Sequence, residues 1–107
     1  MDARLRSRLG LPLDQVGAFC RRWRIEAFAL FGSILRDDFN ESSDVDVLVR
    51  WSPSAEWSVL DHLRMERELG ELLGRRVEIV SWRALDERAT PAARAEIVGT
   101  AAWLDVA

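Results

Sequence analysis

Hydrophobic and polar positions along the chain follow two periods. Over residues 12–24 the apolar residues Leu13, Val16, Phe19, Cys20 and Trp23 recur three and four apart. That spacing sets them on one face of an amphipathic helix, with Pro12 suited to the first turn. Residues 26–31, EAFALF, place Phe28 and Leu30 among smaller residues and are short enough for a strand that stops at Gly32. Ser33 suits the cap of a short helix reaching about Asp37, and Asn40 to Ser43 carry loop chemistry. Residues 44–50, DVDVLVR, are the clearest strand, with Val45, Val47 and Val49 on one face and Asp44, Asp46 and Leu48 on the other.

Pro53 closes that strand. A long helix is predicted over residues 57–73, carrying Val59, Leu60, Leu63, Leu69, Leu72 and Leu73, with Gly74 in the position of a C-cap. Residues 76–82, RVEIVSW, form a third strand, with Val77, Ile79 and Ser81 on one face and Glu78 and Val80 on the other. Thr90-Pro91 opens a final helix running from about residue 91 to 104. The order helix, strand, short helix, strand, helix, strand, helix predicts the α/β (α+β) class, a small sheet covered by helices. Residues 1–107 are expected to form a single domain without a linker, its core spanning about 12–85.

Composition narrows the partners more than the fold. The net charge of −3 argues against a general nucleic-acid binder, so direct nucleic-acid binding is not expected. All 15 basic residues are arginine, so any cationic side chain on a phosphate must be an Arg. Cys20, the one cysteine, excludes an intrachain disulfide and a cysteine metal cage, and its place on the first helix reads as core. The opening MDARLRSRLG lacks a signal peptide's apolar centre, and no apolar run approaches the roughly 18 residues of a membrane span. A cytoplasmic location without membrane contact is expected.

Candidate chemistry concentrates in residues 30–49, LFGSILRDDFNESSDVDVLV. Strand alternation points Asp44 and Asp46 to one side, close enough to share a cation, and like charges so placed repel unless one lies between them. Carboxylate oxygens select a hard ion, Mg²⁺ or Mn²⁺, and Mg²⁺ commonly adds phosphate oxygens to one or two carboxylates. If the third strand lies beside the second, Glu78 can complete a three-acid cluster able to hold two metals. Gly32 lets the backbone approach a ligand, and the N–H groups opening the next turn, with the Ser33 hydroxyl, form an anion site. Arg36 lies one turn further on, and could touch a phosphate or pair with Asp37 or Asp38. His62, one turn from Glu66 on the apolar side of the long helix, reads as a rim or core histidine, while Trp51 and Trp57 flank a Pro-containing loop and are candidate interface anchors.

Gly32-Ser33, ten intervening residues and Asp44-x-Asp46 resemble the motif of the polymerase-β-like nucleotidyltransferase superfamily, and LFGS..R......SD.DVLV resembles its minimal members, the MNT-domain proteins. The similarity runs from about Val16 to Leu85. It implies the polymerase-β-like fold, a small mixed sheet of three to four strands. It further implies that Gly32 and Ser33 hold a triphosphate, that Asp44 and Asp46 ligate Mg²⁺, two ions in all, and that Glu78 is the third acidic position. Many relatives carry Gly where this chain has Asp37, and Asp where it has Glu78. The resemblance also implies the role of an antitoxin that moves AMP from ATP to a tyrosine of a HEPN-type toxin encoded nearby. Two alternatives are an antitoxin acting by binding alone and a transferase acting on a small-molecule hydroxyl. The chain contains no tyrosine, so a tyrosine acceptor must lie on another chain.

Overall fold

Burial of the valine face of one strand organises the structure, a computed structural model that describes residues 12–35, 40 and 42–104. Its elements are α1 (Leu13–Arg22), β1 (Ile25–Phe31), a 3₁₀ turn (Gly32–Leu35), β2 (Val45–Trp51), α2 (Val59–Leu73), β3 (Val77–Ser81), α3 (Trp82–Arg88), α4 (Pro91–Thr100) and β4 (Ala102–Leu104). The strands form one mixed sheet in the order β3-β2-β1-β4, with β2 parallel to β3 and β1 antiparallel to both β2 and β4. This is the expected small sheet flanked by helices.

The two faces of β2 divide the labour as alternation predicts. Val45, Val47 and Val49 join Phe28, Leu30, Ile79 and the α1 and α2 residues Val16, Phe19, Met65 and Leu69 in the main core. Cys20 lies in the same core, and burial pushes its thiol up to about 12, so it stays protonated and packs as a small apolar group. Leu48, on the other face, packs with Ala29 and Leu85 beneath α3 and α4. No helix among the described residues is long and apolar enough to cross a membrane.

Helix α2 is fixed at both ends. Ser58 and Asp61 form a reciprocal capping box at its start. Gly74, at φ +67°, ends it in the left-handed conformation that glycine adopts freely. Only Met65, Leu69 and Leu73 of this helix are buried, whereas Val59, Leu60 and Leu63 are 80 %, 58 % and 56 % exposed. The apolar stripe read from the sequence is therefore core at its C-terminal half and open surface at its start. At the other end of the chain, the final helix expected to run to Leu104 stops at Thr100. Residues 102–104 instead pair with β1, Leu104 opposite Phe28 and Ala102 opposite Leu30. A short apolar run of that length fits helix or strand locally, and the open edge of β1 decides between them. Helix α3, in a stretch to which the pattern assigned no element, is capped by the Ser81 hydroxyl on the Ala84 N–H.

Strand β3 lies at the sheet edge, where unpaired backbone groups invite wrong pairing. Helix α2 occupies that edge with side chains. The Ile79 N–H donates to Glu66 Oε2 at 2.7 Å, and His62 Nε2 donates to Ile79 O at 3.0 Å. The rim role expected of His62 thus has a specific content: with Glu66 it closes the edge of β3. Glu66→Ala, which leaves the partly buried Ile79 N–H without its acceptor, is expected to lower unfolding free energy by roughly 1–3 kcal/mol. Glu66→Gln keeps an acceptor and should lose distinctly less, as urea denaturation of the two variants will show.

Candidate active site

Register brings the candidate residues into one row across the sheet. Phe31 of β1 lies opposite Asp46 of β2, and Asp46 opposite Glu78 of β3, so adjacent backbones are about 4.8 Å apart with side chains on a common face. Asp44 precedes the same strand by one residue and, two before Asp46, shares its side of the sheet. The condition that β3 lie beside β2 is met.

Gly32 follows Phe31 directly and opens the 3₁₀ turn at φ +78°. A Cβ on Gly32 would lie inside contact distance of Asp46 Oδ2 and 3.2 Å from Asp46 Cγ. The absent side chain is therefore the space the carboxylate occupies. Two motif halves separated by ten residues in sequence touch in space, and glycine is required twice, by its φ and by the neighbouring carboxylate. The Ser33 side chain and Arg36 lie outside the described residues, as does Asp37.

Asp44 is exposed, Asp46 half-buried and Glu78 exposed. Their donor set is oxygen only, and an aqueous position beside a half-buried carboxylate suits a hard divalent ion that keeps water and phosphate ligands. Among the described residues no three His, Cys, Asp or Glu side chains converge as a ready-made cage. Two adjacent carboxylates with phosphate oxygens nevertheless fit Mg²⁺, which seldom uses an all-protein cage.

One positioning residue carried no signal in the sequence. Arg75, just beyond α2, donates from Nη1 to Asn40 O at 2.8 Å and to Ser43 O at 3.1 Å. The Arg76 carbonyl next to it accepts from the Val45 N–H at 2.9 Å. The segment leading into Asp44 is thus tied to the end of α2. Gly70 permits this, because a Cβ there would meet Arg75 O at 2.8 Å. From Glu78 a groove of about 620 Å³ runs past Val80 and Leu85 to the exposed Val59 and Leu63. The acidic row opens onto apolar surface. Trp57 contributes to its far wall and packs edge-on against Trp23 at 5.1 Å, which makes it part of the molecule's own packing.

Comparison with known proteins agrees with this fold. A family model described as "Nucleotidyltransferase domain" matches residues 14–101. A Methanocaldococcus jannaschii protein named "Putative protein adenylyltransferase" is 33 % identical over 61 residues, 57 % of this chain and 63 % of its own length. The chain spans about three-fifths of the length of the curated relatives it matches. A solved structure described as a "putative minimal nucleotidyltransferase" superposes with a TM-score of 0.68 at 34 % identity over 94 % of each chain. The fold, at 16 % identity and a TM-score of 0.60, is shared with a complex of tri-AMPylated Shewanella oneidensis HEPN toxin and MNT antitoxin, covering 89 % of this chain and 70 % of that one.

Gly32→Ala places a Cβ against Asp46 and forces a left-handed φ on an L-residue, so it is expected to cost roughly 1–3 kcal/mol of stability. Gly99, with open space around its Cβ position inside α4, is the control: Gly99→Ala should gain about 0.5–1 kcal/mol. Denaturant titration of both variants decides whether Gly32 is held by this contact.

Proposed function

The chain belongs to the nucleotidyltransferase-domain family, and from that premise we propose that it is a cytoplasmic, Mg²⁺-dependent protein adenylyltransferase acting as an antitoxin. Its substrates are ATP and a tyrosine hydroxyl of a HEPN-type toxin encoded nearby, which the transfer of AMP neutralises. The observation that carries this reading is the bare Cα of Gly32 set against Asp46, in a row that continues to Glu78. Anion-binding backbone and cation-binding carboxylates in contact are what a metal-bound triphosphate requires.

In this reading the turn opening at Gly32, with Ser33 and Arg36, orients the β- and γ-phosphates, and Asp44 and Asp46 hold the metal. Bound there, Mg²⁺ would offset charge on the triphosphate and the pyrophosphate that leaves. Glu78, one strand over, completes the acidic row and accepts the proton of the incoming hydroxyl. Oxygen of that hydroxyl bonds to the α-phosphorus as the bridge to the β-phosphate breaks. The apolar groove leading from Glu78 favours a protein acceptor over a small polar one, because exposed Val59 and Leu63 give a polar molecule little to bind. The AMPylated toxin seen with an antitoxin of this fold supports the same acceptor class.

A second reading, neutralisation by binding alone, is favoured by one observation: the three acidic side chains do not converge as a cage. Incubation with ATP, Mg²⁺ and the neighbouring HEPN-type protein, followed by intact mass measurement, separates the two. AMP adducts on the partner, reduced on the order of 10²–10³-fold by Asp44→Ala/Asp46→Ala, are expected. A stable complex without adducts would leave binding alone.

A further inference from the structure

A cavity of about 650 Å³ lies between the Gly32 turn and helix α4, separate from the groove that leaves Glu78. Phe31, Gly32 and Leu35 line one side. The opposite side is the face of α4 that carries Ala93, Glu96, Ile97 and Thr100, spaced three and four residues apart. Its volume lies within the range of small-ligand sites.

The polar groups around this cavity are arranged asymmetrically. At the Gly32 end lies the turn that the proposed function assigns to the triphosphate. On the α4 side the Thr100 hydroxyl already donates to Glu96 O at 2.7 Å, so it faces a ligand as an acceptor. The Glu96 carboxylate is exposed, makes no hydrogen bond or ion pair with another described residue, and when ionised can only accept. Phe31, Leu35 and Ile97 supply apolar surface between the two ends. A molecule complementary to this cavity is anionic at one end, flat or apolar in the middle and rich in hydrogen-bond donors at the other.

We propose that this cavity holds the nucleoside of the triphosphate, with Glu96 accepting from its donor groups, the ribose hydroxyls or an exocyclic amine, and Ala93 and Ile97 packing against it. The proposal rests on the triphosphate reading of Gly32, and it makes α4 the element that distinguishes a nucleotide from its bare phosphate chain. A carboxylate at this place also disfavours a base that presents a carbonyl to it.

Calorimetric titration in Mg²⁺ with a non-hydrolysable ATP analogue and with inorganic triphosphate tests it without reference to activity. The wild-type chain should bind the ATP analogue at least tenfold tighter than inorganic triphosphate. Glu96→Ala, and Ala93→Trp, which fills the cavity from an exposed helix position, should each erase most of that ratio while leaving inorganic triphosphate affinity and the melting temperature unchanged. Two further ligands tell the donors apart: loss of the ratio with 2′,3′-dideoxy-ATP assigns the ribose, and loss with inosine triphosphate the amine. Equal affinity for the ATP analogue and triphosphate in the wild type, or a ratio untouched by both variants, would overturn the nucleoside site while leaving the triphosphate site standing. Failure to bind either ligand would overturn both.

Discussion

The bare Cα of Gly32 against the carboxylate of Asp46 is the contact on which the site depends. It joins the end of β1 to the start of β2, so the turn proposed to hold the triphosphate and the strand proposed to hold the metal become one feature. The contact is exacting because it leaves no room for a side chain and requires a positive φ at the same residue. It is also inexpensive to maintain, because the antiparallel pairing of β1 with β2 already sets Phe31 opposite Asp46.

That pairing is held by the other face of the same strands. Val45, Val47 and Val49 are fully buried, and each contributes roughly 1.5–3 kcal/mol relative to exposure. A slip of one residue would turn all three toward the acidic face and drive Asp46 into the core. Register is therefore enforced by the core and read out by the site. Arg75 and the Arg76 carbonyl extend this control to the segment before Asp44, and the His62 and Glu66 contacts to Ile79 secure the strand that carries Glu78.

Much of this was legible in the sequence, for reasons that are local. The valine alternation of β2, the stop at Gly32 and the periodicity of α1 depend on a few neighbouring residues, and each element stands within a residue or two of its expected bounds. Adjacency of Asp46 and Glu78 could be stated only as a condition, since strand order is a long-range property. Ala102, Trp103 and Leu104 continue an apolar run that fits helix locally, and only the edge of β1 selects the extended form of β4. The Arg75 contacts were invisible for the same reason, as they span more than 30 residues to backbone carbonyls that have no sequence signature. The exposed start of α2 shows the opposite error, where a periodic apolar stripe outruns the core that covers it.

The claim that two separated motifs form one metal-triphosphate site is tested most directly by anomalous diffraction from crystals grown with Mn²⁺ and a non-hydrolysable ATP analogue. The account predicts an anomalous peak ligated by Asp44 and Asp46, with the β- and γ-phosphates on the turn that opens at Gly32. Manganese bound away from both carboxylates, or a triphosphate that does not touch the Gly32 turn, would contradict it.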